Sequence, residues 1–189
     1  MQDLPELYFE RDTDWYDWLL QNHLNTNGVY LIFYKLETNI PTMRWEEAVK
    51  VAICFGWIDS TVKSLGHGKR RQYFCPRNPK SNWSGLNKSY VEELSAKGLI
   101  QEAGYKMINL AKQTGTWTAM DAVENGVIPE MLEKAFDKNP SAFQNYKNFA
   151  PSYQKSYLSW LQSAKRPETK QKRLEEIIGL CEANKKSRN

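Results

Sequence analysis

Residues 54–87 read CFGWIDSTVKSLGHGKRRQYFCPRNPKSNWSGLN. Trp57 to Val62 reads as a strand, and Arg70 to Cys75 as a second. Gly66-His67-Gly68 lies near the turn between them. Strict alternation sets Trp57, Asp59 and Thr61 on one face and Ile58, Ser60 and Val62 on the other. Pro76 and Pro79 close the section. Strands here, flanked by helical patterns, decide for an α+β architecture: a small antiparallel sheet with packed helices, then a helical C-terminal half.

Upstream, Trp15, Trp18 and Leu19 share one face of an expected helix over 13–26, with Thr13 or Asp14 as its cap and Gly28 as its stop. Val29 to Leu36 is a near-continuous apolar run, which suits a buried central strand. Residues 41–56 read as a second helix, with Glu46 and Glu47 where the helix dipole favours acids. Downstream of Tyr90 the pattern is helical to the end. Pro129, Pro140 and Pro167 open helices there. Leu174, Ile177, Ile178 and Cys181 mark one apolar stripe. The expected organisation is an α+β unit over 1–88 and a helical region over 89–189, packed as one compact structure.

Composition is that of a globular chain: 41% hydrophobic and 25% charged over 189 residues. Its aromatics, seven Trp and ten Tyr among them, mostly suit a core of large rings. Charge is uneven. Residues 1–60 hold four basic and ten acidic groups, whereas 61–90 hold seven basic groups and no acid. Residues 151–189 are basic again. Cys54, Cys75 and Cys181 make an odd set without C-x-x-C spacing, which argues against a disulfide framework. His23 and His67 are not spaced as metal ligands. No metal and no cofactor are expected. The N-terminus lacks a leader pattern and no apolar run could span a bilayer, so a cytoplasmic protein is expected.

Several segments together carry a resemblance. They are Gly28-Val-Tyr-Leu, Glu47-Ala48-Val49, Cys54-Phe-Gly-Trp-Ile-Asp-Ser60, Lys63, Gln72-Tyr-Phe, Pro76-Arg77, Ser81-x-Trp83-Ser84 and Asn87. Further on, Gly104, Ala111-Lys112, Gly115-x-Trp117, Ile128-Pro129, Tyr157-x-x-Trp160, Ala164-Lys165 and Glu168-Thr169 agree. The chain resembles the YdeI/OmpD-associated protein family of bacteria over nearly its whole length. The resemblance implies a link to bacteriocin or cationic antimicrobial peptide protection, partly through an outer-membrane porin.

Six residues are candidates for a ligand site at the seam between the α+β unit and the first C-terminal helices: Trp57, Asp59, Lys63, Arg77, Trp83 and Asn87. Asp59 beside Lys63 or Arg77 could orient a ligand or act as a base, or pair structurally with an arginine. Arg77 presents a rigid fork for phosphate or carboxylate, unless Asp59 occupies it. Trp57 and Trp83 could stack on a ligand or pack in the core. Ser81, Ser84 and Asn87 could line a pocket or serve as turn and capping residues.

No nucleophile elbow, zinc-protease or phosphate-loop motif is present. The expected role is therefore non-enzymatic binding or stress protection, with an anionic ligand or a protein as partner. One alternative is nucleic-acid binding through 61–90 and 151–189. Another is an enzyme on an anionic small molecule, with Asp59 as base and Arg77 as anchor. If cationic peptides bind at all, like-charge repulsion directs them to the acidic first sixty residues.

Overall fold

The computed structural model describes residues 4–188. Its sheet has four strands: β1 (Glu6–Tyr8), β2 (Val29–Tyr34), β3 (Trp57–Gly66) and β4 (Lys69–Pro76), in the order β1-β2-β4-β3. β2, β4 and β3 are antiparallel neighbours, as expected; β1 adds a parallel edge. The three residues of β1 are too few to show a periodic pattern in sequence.

His67 and Gly68, with φ of 49° and 71°, make the two-residue turn of the β3–β4 hairpin. That turn geometry matches the twist of the strands it joins. Asp59 pairs with Phe74 and Val62 with Gln72, so a bulge lies between Asp59 and Val62. An extra residue inverts the alternation after it. Val62 therefore shares the face of Trp57 and Asp59, contrary to the strict alternation expected for this strand.

Helices α1 (Asp12–Asn22) and α2 (Trp45–Cys54) cover one face of the sheet. α1 ends before residue 26, with the His23 N–H donating to the Leu19 carbonyl at 2.9 Å. α2 starts at Trp45 rather than at 41, because Met43 N–H donates to the Phe9 carbonyl and holds the preceding segment extended. The Arg44 N–H then donates to Glu47 Oε2 at 2.7 Å, which satisfies the helix entry. Beneath the helices, Trp15 meets Phe74 edge-on at 5.8 Å and donates its indole N–H to the Ala48 carbonyl at 3.2 Å. Each such large side chain contributes about 2–3 kcal/mol by leaving water.

Helices α3 (Gly85–Ala96) and α4 (Glu102–Thr114) supply Tyr90, Val91, Leu94, Ile108 and Ala111 to this same core. The N-terminal unit therefore runs to Thr118, past the boundary expected at 88, and the second unit begins at Ala119. α4 crosses close to the end of α2 at Gly104, where a Cβ would sit 2.8 Å from both the Ile53 carbonyl and Ile100. Only glycine permits that approach.

The second unit holds α5 (Asp121–Glu124), α6 (Glu130–Asp137), α7 (Pro140–Asn148), α8 (Pro151–Gln162) and α9 (Pro167–Glu182). Proline opens α7, α8 and α9, where its missing N–H costs nothing and its fixed φ suits a helix. Leu174, Ile177, Ile178 and Cys181 are all buried, as their spacing implied. They close on Leu132, Phe136, Tyr146, Tyr157 and Leu161. No helix among the described residues is long and apolar enough to cross a membrane.

Candidate functional site

The six sequence-derived candidates divide into five settings. Trp57 is fully buried in the core, and its indole N–H donates to the His23 carbonyl at 3.2 Å. Lys63 is exposed on the outer part of β3. Asn87 lies in the first turn of α3, where its backbone N–H donates to the hydroxyl of the capping Ser84 at 3.2 Å.

Asp59 is half-buried beside the apolar core. Its carboxylate accepts the Trp45 indole N–H at 2.9 Å and a hydrogen bond from the Gln72 amide. Two donors on one oxygen hold Asp59 in the sheet, and they give the buried Gln72 its partner.

Arg77 and Trp83 come together. The chain reverses at Asn78, whose side chain accepts the Lys80 N–H at 2.8 Å, and this brings both residues into one buried stack. The guanidinium carbon lies 3.6 Å from the Trp83 ring centre. Nη2 donates to the Asn82 carbonyl at 2.6 Å, while the buried Nε and Nη1 bond no protein group. Burial pulls the guanidinium down to about 10, with the charge of Asp59 opposing. Trp83 in turn packs on Trp117 at 5.1 Å, and Lys112 lies 5.2 Å from that second ring.

A different site is open to solvent. α1, α2 and α3 enclose a groove of about 490 Å³. Tyr16, Val51, Cys54, Leu94 and Leu99 make its apolar lining, and Asp12, Asp17, Glu47 and Glu93 its acids. Lys50 and Lys97, its two cations, both bond Glu93, at 2.8 Å and 2.6 Å. Those bonds hold the Glu93 carboxyl down at about 2. Asp12, Asp17 and Glu47 make no ion pair among the described residues. Cys54 is pushed up to about 12 by burial, so it lines the groove as an apolar thiol and not as a nucleophile. No cluster of three or more metal-ligating side chains occurs among the described residues.

Candidate selection by sequence proximity missed this groove, because its residues come from three helices. A partial signal was present. Glu47, Lys50, Val51 and Cys54 recur at i, i+3, i+4 and i+7, which puts charged and apolar groups on one helical face.

The family model described as domain of unknown function DUF8412 matches residues 7–107. The chain belongs to that family. The DUF8412 match contains the sheet from Leu7 onward, the groove, and the Arg77–Trp83 stack. A second model, described as Bacteriocin-protection, YdeI or OmpD-Associated, matches residues 125–184 and bears out the resemblance to that family. Ile128-Pro129, Tyr157, Trp160, Ala164-Lys165 and Glu168-Thr169 fall inside this second match. The Gly-Trp-Ile-Asp segment falls under DUF8412 instead. No curated protein and no solved structure matches the chain.

Proposed function

We propose that the protein is a non-enzymatic binding protein that takes up a cationic, amphipathic peptide segment in the groove between α1, α2 and α3. The observation that carries this reading is the groove's composition: an apolar lining flanked by four carboxylates, with both neighbouring ammoniums already committed to one of them. An amphipathic helix needs both elements, a strip for its apolar side and anions for its lysines. The volume falls in the roughly 300–1,000 Å³ range of small-molecule clefts, so the groove would seat a few side chains of the segment and leave the rest outside. The name of the model matched by residues 125–184, with its mention of bacteriocin protection, agrees with a protective capture role. The acidic bias of residues 1–60 agrees with it too. The compartment proposed for this role is the cytoplasm, where the three free cysteines stay reduced.

The test is calorimetric titration with a Lys/Leu amphipathic peptide of about 15 residues, long enough for a helix to form. Binding should weaken with salt. It should also fall at least about tenfold in Asp17→Asn/Glu47→Gln, the loss expected when charge complementarity across an interface is removed. Absent binding, or unchanged affinity in that variant, would reject the reading. The seam site around Arg77 ranks second as a ligand position, because its two unpaired N–H donors are sealed from solvent.

A further inference from the structure

The face of the sheet opposite α1 and α2 has a distinct chemistry. Register pairs Tyr30 with Tyr73, Ile32 with Arg71, and Tyr34 with Lys69, and it places Tyr8 beside Ile32 and Lys63 beside Arg71. All these side chains share the outer face, since directly paired residues point the same way. Tyr30 and Tyr73 lie with ring centres 5.4 Å apart, and Tyr8 meets Tyr34 edge-on at 5.6 Å. The Arg71 guanidinium sits 4.3 Å above the Tyr30 ring and bonds Glu6 at 2.6 Å, so it is fixed in place over the aromatics. Ile32 on this face is buried, while Tyr8 remains 39% exposed. Glu6 is the one acid that the register places here, against Lys63, Lys69 and Arg71, and residues 61–90 hold no acid at all.

We infer that this face binds single-stranded nucleic acid, with bases stacked on the tyrosines and the phosphate backbone running along Lys63, Lys69 and Arg71. The occupant follows from the pairing of ring faces with positive charge. Every base offers a π-face, so stacking works without sequence readout, and cations beside the rings meet the phosphates. A four-stranded sheet with aromatics on its open face has room for about two or three bases. A duplex hides its bases within the stack and could use only the charges. This surface lies on the other side of the sheet from the helices that form the peptide groove, and it stands whether or not the groove binds peptide.

Fluorescence anisotropy of the full chain with a labelled oligothymidylate of about ten nucleotides tests the inference at a site size typical of such surfaces. Three phosphate contacts predict about a 20-fold loss of affinity between about 50 mM and about 200 mM salt. Tyr30→Ser/Tyr73→Ser should weaken binding at least about tenfold, while Tyr30→Phe/Tyr73→Phe, which keeps both rings, should not. Since the serine variant could also disturb the sheet, Lys63→Glu/Lys69→Glu gives a second reading on solvent-facing positions, with at least about a tenfold loss expected from charge reversal. The inference is overturned by absent binding at low salt, or by a duplex of equal length binding as tightly. It is equally overturned if the tyrosine and lysine variants keep full affinity, which would place binding on the basic segment 151–189 instead.

Discussion

The Arg77 guanidinium carbon lies over the Trp83 ring, 3.6 Å from its centre, with both side chains buried. The negative face of the indole replaces part of the water that the charge has lost. Nε and Nη1 remain without a partner. Arg77→Met keeps the shape of the stack and removes the charge, so it should change stability by less than about 1 kcal/mol or raise it. Arg77→Ala opens a cavity beside Trp83 and should cost about 2–4 kcal/mol. Urea denaturation measures both. A large loss in Arg77→Met would mean that attraction to Asp59, and not packing, retains the arginine.

Glu93 links three elements of charge in the groove. Its carboxyl is held at about 2, against an ordinary value of 4.5, by hydrogen bonds from Lys50 and Lys97. The folded value is depressed, so the contribution is complete above the unfolded value and is lost as pH falls from about 4.5 towards about 2. Glu93→Gln should lower the neutral-pH urea midpoint and flatten its fall across that window by the same amount, so that the two curves converge at low pH; both effects are small because the pair is solvent-screened. An acid limb identical to that of the parent protein would remove Glu93 from the account.

Two glycines in helices should respond with opposite sign. Gly104→Ala drives a Cβ against the Ile53 and Cys54 carbonyls and should cost about 3 kcal/mol, because α4 must move off α2. Gly179→Ala on α9 meets nothing within 4 Å and should stabilise by about 0.5–1 kcal/mol through helix propensity. Thermal melts of the two variants settle the signs. A neutral Gly104→Ala would show that the contact between α2 and α4 yields easily.

The three thiols should differ in reactivity. Burial raises all three thiols, Cys54 and Cys181 up to about 12, but Cys75 on β4 is only half-buried and a hydrogen bond from Tyr73 opposes its rise. Brief alkylation of the native protein should label Cys75 alone, and alkylation in denaturant should label all three, since reaction needs an accessible thiolate. Peptide mass mapping reads the sites. Rapid native labelling of Cys54 would show that the groove opens to its base.

Much of the fold was legible residue by residue. The stripe Leu174, Ile177, Ile178 and Cys181 announced α9, the run from Val29 announced the central strand, and Gly66-His67-Gly68 announced the hairpin turn. Each is a local preference: side-chain periodicity, burial of an apolar run, or a turn backbone. The site was legible only in part. Arg77 and Trp83 were expected in one site with four other residues, and a local chain reversal joins these two. Trp57 and Asp59 are close in sequence to both, yet the core and the sheet take them up.

What the sequence by itself determined was the class of the protein, the order of its elements, and the places where charge and aromatics gather. Tertiary structure alone decided three things. A bulge after Asp59 changed which face Val62 shares, and strand pairing turned scattered tyrosines at 8, 30, 34 and 73 into one surface. The packing of α1, α2 and α3 assembled acids from residues 12, 17, 47 and 93 into one groove. The physical reason is common to all three. Periodicity reports how a residue faces within its own element, whereas a surface built from several elements depends on register and packing between them, which are set by contacts distant in sequence.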